Sequence, residues 1–214
     1  MKTKRTNTAA RSRVILWTGA ALWLAGIIAV MIWIGAYSNS PNAAGQPPGS
    51  WPEQSRIFRA EGRSTLMMFV HPRCPCSRAS VGELARLLVQ DRGLGGVHVL
   101  FINPPGMSPD GARTVLWEQA ALIPGVTVQL DQDGVEAKQF GVETSGQTLL
   151  YSASGQLLFE GGITISRGHS GDNPGRSALM SLLAHQTSDL SQTPVFGCPL
   201  FDASCEKGDV LCKY

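Results

Sequence analysis

The sequence predicts an α/β domain, a central mixed sheet flanked by helices, preceded by one N-terminal transmembrane helix. Three observations predict it. A charge-free apolar run lies near the N-terminus, short apolar runs alternate with helically spaced ones from residue 64 onward, and a Cys74-Pro75-Cys76 motif sits where the first of those strands gives way to a helix.

The anchor comes first. Lys2, Lys4, Arg5, Arg11 and Arg13 precede Val14 to Ala36, which runs 23 residues without a charge. At about 1.5 Å rise per residue this makes about 34 Å of helix, enough to cross a hydrocarbon core of about 30 Å. A cleaved signal peptide has an apolar core of only about 7–15 residues and a small-residue cleavage site, and Tyr37-Ser38-Asn39 is no such site. The expectation is an uncleaved single-pass anchor. Basic residues before the span put the N-terminus in the cytoplasm and the remainder in the periplasm or outside the cell, where disulfides persist. The chain then divides into a basic cytoplasmic N-terminus (1–13), the span (14–37), a Pro/Gly-rich linker (38–50), the α/β domain (51–190) and a cysteine-containing tail (191–214). The linker, SNSPNAAGQPPGS, reads as a tether. A net charge of +2, with the basic excess ahead of the span, argues against a nucleic-acid surface. No internal repeat, Walker-type loop or dinucleotide fingerprint is present.

The elements follow in order. Ser64 to Val70 is an apolar run of strand length, and after it Val81, Leu84, Ala85 and Leu88 recur at helical spacing opposite Glu83, Arg86 and Gln90. Val97 to Ile102 reads as the second strand, ended by Asn103-Pro104-Pro105-Gly106. Ser108 offers an N-cap and Pro109 a first helical residue for a helix striped by Ala112, Val115, Leu116 and Ala120. Val126 to Leu130 is a third strand, followed by a turn at Asp131 to Gly134 and a short helix to Phe140. Thr148 to Tyr151 and Gln156 to Phe159 form a hairpin. Asn173-Pro174 opens a last helix with Leu179, Leu182 and Leu183 on one face. Alternating strands and helices imply right-handed crossovers around a covered sheet, with the hairpin as an antiparallel edge. In such sheets chemistry collects at strand C-termini, which is where the motif falls.

Cys74 and Cys76 therefore lie at a helix N-terminus. Unpaired backbone N–H groups and the positive end of the helix dipole favour thiolate there, and Arg73 and Arg78 add positive charge.

The ordered series His71-Pro72-Arg73-Cys74, Val128-Gln129-Leu130-Asp131 with Gly134, Phe140-Gly141-Val142, Thr148-Leu149-Leu150-Tyr151 and Gly155 resembles the thioredoxin-like superfamily, in its membrane-anchored thioredoxin and peroxiredoxin-like redoxin form. The resemblance covers about Ser64 to Ala184. It implies that Cys74 is the attacking cysteine. It also places two departures: Ser77 stands where the family has its second cysteine, the nearest other thiol being Cys76, and Gly146-Gln147-Thr148 lacks the family's cis-proline, so the substrate-facing loop differs.

A bridge across one residue closes a small ring whose torsions are hard to bring to the preferred ±85–100° and which is therefore easily reduced. Such a pair suits an oxidant or isomerase. Cys198, Cys205 and Cys212 follow in the tail at spacings of seven, and one arrangement pairs two of them and delivers the third to Cys74 as an alternative resolver. Supporting candidates are His71, Arg73, Ser77, Gln147, His169 and Cys198, with Arg167 and Asp172 in the Gly-rich segment 161–174 that also carries His169. The expected activity is thiol-disulfide exchange by Cys74 and Cys76 on exported protein thiols or disulfides or with a membrane electron donor, serving cell redox homeostasis without a cofactor beyond the redox-active disulfide. The alternatives are a copper chaperone holding Cu(I) through Cys74, Cys76 and His169, and a thiol peroxidase in which Cys74 passes through sulfenic acid.

Overall fold

The computed structural model describes residues 4–90, 93–104, 106–185 and 187–201. They form two units, divided at Ser40 and Pro41. The first is a single helix, α1 (Lys4–Ser38). Within it Arg11–Ser38 is long and apolar enough to cross a membrane. Ile15, Trp17, Trp23, Met31 and Trp33 are all exposed, so the helix is apolar around its circumference rather than along one stripe, as a bilayer span requires. Thr18 satisfies its hydroxyl inside the helix by donating to the Val14 carbonyl at 2.9 Å.

In the second unit the elements are β1 (Ser64–Val70), α2 (Ser77–Gln90), β2 (Leu94–Asn103), α3 (Pro109–Ala112), α4 (Val115–Ala121), β3 (Val126–Gln132), α5 (Val135–Gln139), β4 (Gln147–Tyr151), β5 (Leu157–Gly162) and α6 (Pro174–His185). The five-stranded sheet has the order β3-β2-β1-β4-β5. β1 runs parallel to β2, and β2 to β3, while β4 and β5 are antiparallel additions on the other side of β1. This is the thioredoxin-like mixed sheet expected from the sequence.

β1 is central and reads as a continuous apolar run because both its faces are covered. Leu66, Met68 and Val70 pack with Val81, Leu84 and Leu87 of α2, Phe101 of β2, Leu116 of α4 and Leu179 of α6. Met67 and Phe69 point the other way, into a layer with Leu100, Ile102, Phe140, Leu149 and Tyr151. The strand period of two sorts one sequence into two cores.

Three local outcomes differ from the sequence reading. Glu83, placed there on the polar side of α2, is fully buried, because α6 and the preceding loop cover it. Its carboxylate accepts from Arg86, from Arg176 of α6 and from the Gly171 N–H at 2.8 Å. The helix over residues 109–121 is divided: Thr114 is extended, with φ −89° and ψ 176°, and its hydroxyl donates to the Pro72 carbonyl at 3.0 Å. A tertiary bond to the motif loop outweighs helical continuation there. The linker is not a bare tether, since Asn42, Gly45 and Ser50 form bridges with Val195, Val142 and Gln156.

The tail also docks. Thr144 bridges Pro199, the Leu200 N–H donates to the Glu143 carbonyl at 2.8 Å, and Leu200 enters the second core layer. Cys205 and Cys212 lie outside the described residues.

Candidate functional site: a three-thiol cluster

β1 ends at Val70, and the chain turns through His71 to Cys76 before α2 begins at Ser77. The turn is closed by the Cys74 N–H on the His71 carbonyl at 3.0 Å and the Ser77 N–H on the Cys74 carbonyl at 3.2 Å. Pro75 suits this position, having no N–H to leave unpaired. Cys74 is buried, while Cys76 and Cys198 are half-buried. All three are free thiols whose sulfur atoms lie within 4.8 Å of one another.

Cys198 arrives from the tail, and its position is set by backbone. Its carbonyl accepts from the Ser145 N–H at 2.8 Å. Gly197 passes so close to Ser145 that a Cβ there would lie 1.8 Å from the Ser145 carbonyl oxygen, so only glycine fits. Arg167 donates to the Gly197 carbonyl and, at 2.7 Å, to the side-chain oxygen of Asn42. Asn42 donates to the same Gly197 carbonyl at 2.8 Å.

Ser145 ties the cluster together. Its hydroxyl oxygen accepts from the His71 N–H at 2.7 Å and lies 2.7 Å from the Ser77 hydroxyl. The Ser77 hydroxyl also helps to lower the Cys74 thiol.

The electrostatics follow from these donors. Hydrogen bonding from the Cys198 thiol, then from the Ser77 hydroxyl and the Cys198 and Ser77 backbone N–H groups, pulls the Cys74 thiol down to about 4 against the opposing effect of burial. Hydrogen bonds to the charged form favour it. The same bond pushes Cys198 upward, because the thiol that donates keeps its proton. Burial and the neighbouring Cys74 charge raise Cys76, with Arg167 acting in the opposite direction. Burial lowers His71, and the Cys74 charge partly offsets it. The three shifts run apart, with Cys74 lowered and Cys76 and Cys198 raised.

The other sequence candidates are placed as follows. Arg73 is exposed beside Cys74, on a shallow groove shared with Pro72, Pro75, Arg78, Thr114 and Val115. His71 accepts at Nδ1 from the Arg73 N–H at 3.3 Å. Gln147 is fully buried in β4, opposite Phe69 and Gly162. Gly146, just before it, has φ 88°, and a Cβ there would come within 2.6 Å of the Ser80 hydroxyl. No described peptide bond is cis. His169 is exposed, with Nδ1 2.7 Å from the Arg167 carbonyl, and stands outside the three-thiol group. Asp172 is exposed and pairs with Arg176, and Asn173 accepts from the Arg176 N–H at 2.8 Å as the cap of α6. Ser145 carried no signal in the sequence; it is one small residue in a turn, and only the fold gives it three neighbours.

No family model and no curated protein matches the sequence. Among solved structures, an uncharacterised conserved protein from Geobacillus kaustophilus aligns with a TM-score of 0.54 at 17% identity, covering 78% of this chain and 94% of its own. A hypothetical protein from Sinorhizobium meliloti aligns with a TM-score of 0.54 at 21% identity, covering 78% and 98%. A secreted disulfide oxidoreductase from Mycobacterium tuberculosis, homologous to E. coli DsbE, aligns with a TM-score of 0.42 at 17% identity, covering 58% and 83%. At these identities the likeness is one of fold. The chain has a thioredoxin-like fold, with its three described cysteines gathered at the C-terminal end of the central strand.

Proposed function

We propose that the protein is a membrane-anchored thiol-disulfide oxidoreductase whose domain acts on exported proteins, with Cys74 as the nucleophile. The observation that carries this reading is the gathering of the Cys74, Cys76 and Cys198 sulfurs within 4.8 Å of one another between the end of β1 and the start of α2, where hydrogen bonding draws the Cys74 thiol down from its ordinary value and favours the attacking thiolate. The thiolate attacks one sulfur of a substrate disulfide. The substrate S–S bond breaks, its other sulfur leaves and takes a proton, and Cys74 is joined to the substrate in a mixed disulfide. A second thiol of the cluster then gives up its proton and attacks the Cys74 sulfur. The substrate leaves as a dithiol, reduced by two electrons, and the protein keeps the disulfide; the reverse sequence oxidises a substrate dithiol.

Cys76, expected from the sequence to resolve the intermediate, shares that place with Cys198. Cys198 is the more direct partner, since its sulfur lies within 4.8 Å of the Cys74 sulfur and no small ring has to close. Trapping with a disulfide-bonded peptide tests this. Cys74→Ser abolishes the covalent adduct, and Cys198→Ser accumulates it at least as strongly as Cys76→Ser. An undiminished adduct in Cys74→Ser would overturn the assignment of the nucleophile.

A further inference from the structure

We infer that Cys74, Cys76 and Cys198 of the reduced protein together form a three-coordinate thiolate site for Cu(I). The inference goes beyond thiol exchange, and the two uses of the cluster exclude each other. A metal–thiolate distance of about 2.3 Å places the sulfurs of a planar three-coordinate site about 4 Å apart. The three sulfurs here already lie within 4.8 Å, so small side-chain rotations close the set.

The donor set selects the ion. Thiolates suit Cu(I), zinc and iron–sulfur clusters, but structural zinc and the common clusters take four protein ligands and a three-ligand zinc keeps a water in its fourth position, whereas Cu(I) is satisfied by three thiolates. Among the described residues no further His, Cys, Asp or Glu joins the three. The third donor is also Cys198 in place of the His169 suggested by the sequence, as His169 is exposed and turned to its own loop.

The site is built before any ion arrives. Cys74 and Cys76 are fixed by the turn into α2, and Cys198 by the Ser145, Asn42 and Arg167 bonds around Gly197. Preorganised ligands avoid the ordering cost of gathering them. Three thiolates and one Cu(I) carry a net charge of −2. Arg167, which faces Cys76 and Cys198, and the N-terminus of α2 offset it.

The test uses the reduced full-length chain in detergent under anaerobic conditions, with Cys205→Ser and Cys212→Ser removing the other thiols. It is titrated with Cu(I) against the chromogenic chelator bicinchoninate. The expected result is one equivalent withheld from the chelator, and three sulfur neighbours by copper X-ray absorption. Each of Cys74→Ser, Cys76→Ser and Cys198→Ser should weaken binding by more than the roughly 10–100-fold that loss of an outer-shell partner costs. In the chain retaining all three cluster cysteines, one equivalent of Cu(I) should shield every one from maleimide, as mapped by peptide mass, a readout that needs no variant to fold. Copper removed by the chelator at one equivalent, unchanged binding in Cys198→Ser, or unshielded labelling of any of the three would overturn the site. So would tighter binding of zinc than of Cu(I). Peptide trapping by the metal-free protein is unaffected by those outcomes, so failure of this inference and failure of the exchange reading are read separately.

Discussion

The lowered Cys74 thiol depends on neighbours that sequence proximity alone does not supply. Ser77 is one helical turn away, but the first cause of the lowered thiol is Cys198, from a segment beyond the last helix. The thiolate is the attacking form and exists above the pKa, so reactivity falls only as pH drops through the folded value. Alkylation of native Cys74 is therefore expected to stay nearly level from pH 8 down to about 6 and to decline toward about 4, whereas an unperturbed thiol would lose rate below about 8.5. Cys198→Ala should move the midpoint upward. A midpoint near that of a denatured control would remove Cys198 and Ser77 as the controlling donors. The motif and its helix-terminal setting were legible because spacing and turn residues are local. Cys198 and Ser145 were not fixed by local pattern: equal spacings of seven in a polar tail specify no partner, and a serine in a turn acquires meaning only when three segments converge on it.

At the scale of elements, patterning located each strand to within a few residues, because the alternation of buried and turn-rich stretches is a local property. Polar residues were less readable. The side of α2 bearing Glu83 looks solvent-facing by periodicity, yet α6 and residue 171 close over it. Likewise Thr114 interrupts a good helical stripe because its hydroxyl reaches Pro72 across the fold. The buried carboxylate predicts a measurable cost. Removing one partner of a buried ion pair costs about 3–5 kcal/mol, and the partial exposure of Arg86 and Arg176 places Glu83→Gln near the lower end, about 3 kcal/mol, by urea unfolding of the full chain. A loss below about 1 kcal/mol would mean that apolar packing alone holds α6 against α2.

For the whole molecule, the apolar circumference of α1 and the basic residues ahead of it argue for a single span with the domain outside the cytoplasm. A reporter joined after Ser50 should be active only if exported. Its recovery in the cytoplasm, or isolation of a soluble mature chain beginning near Ser38, would reject the anchor. The long apolar helix was plain in the sequence because a charge-free run of this length reads as one element. The docking of the linker was not, since short Pro/Gly-rich segments look alike whether free or bridged to a sheet.

The clasp around Gly197 also gives the molecule a sense of time. A ribosome makes Cys74 and Cys76 long before Cys198, and until the tail settles against Ser145 the Cys74 sulfur lacks its strongest hydrogen-bond donor. Before then, only the Ser77 groups beside it act to lower the Cys74 thiol. The tuning of the first thiol is thus tied to a residue synthesised long after it, and the two meet only once the sheet and its helices exist to hold them.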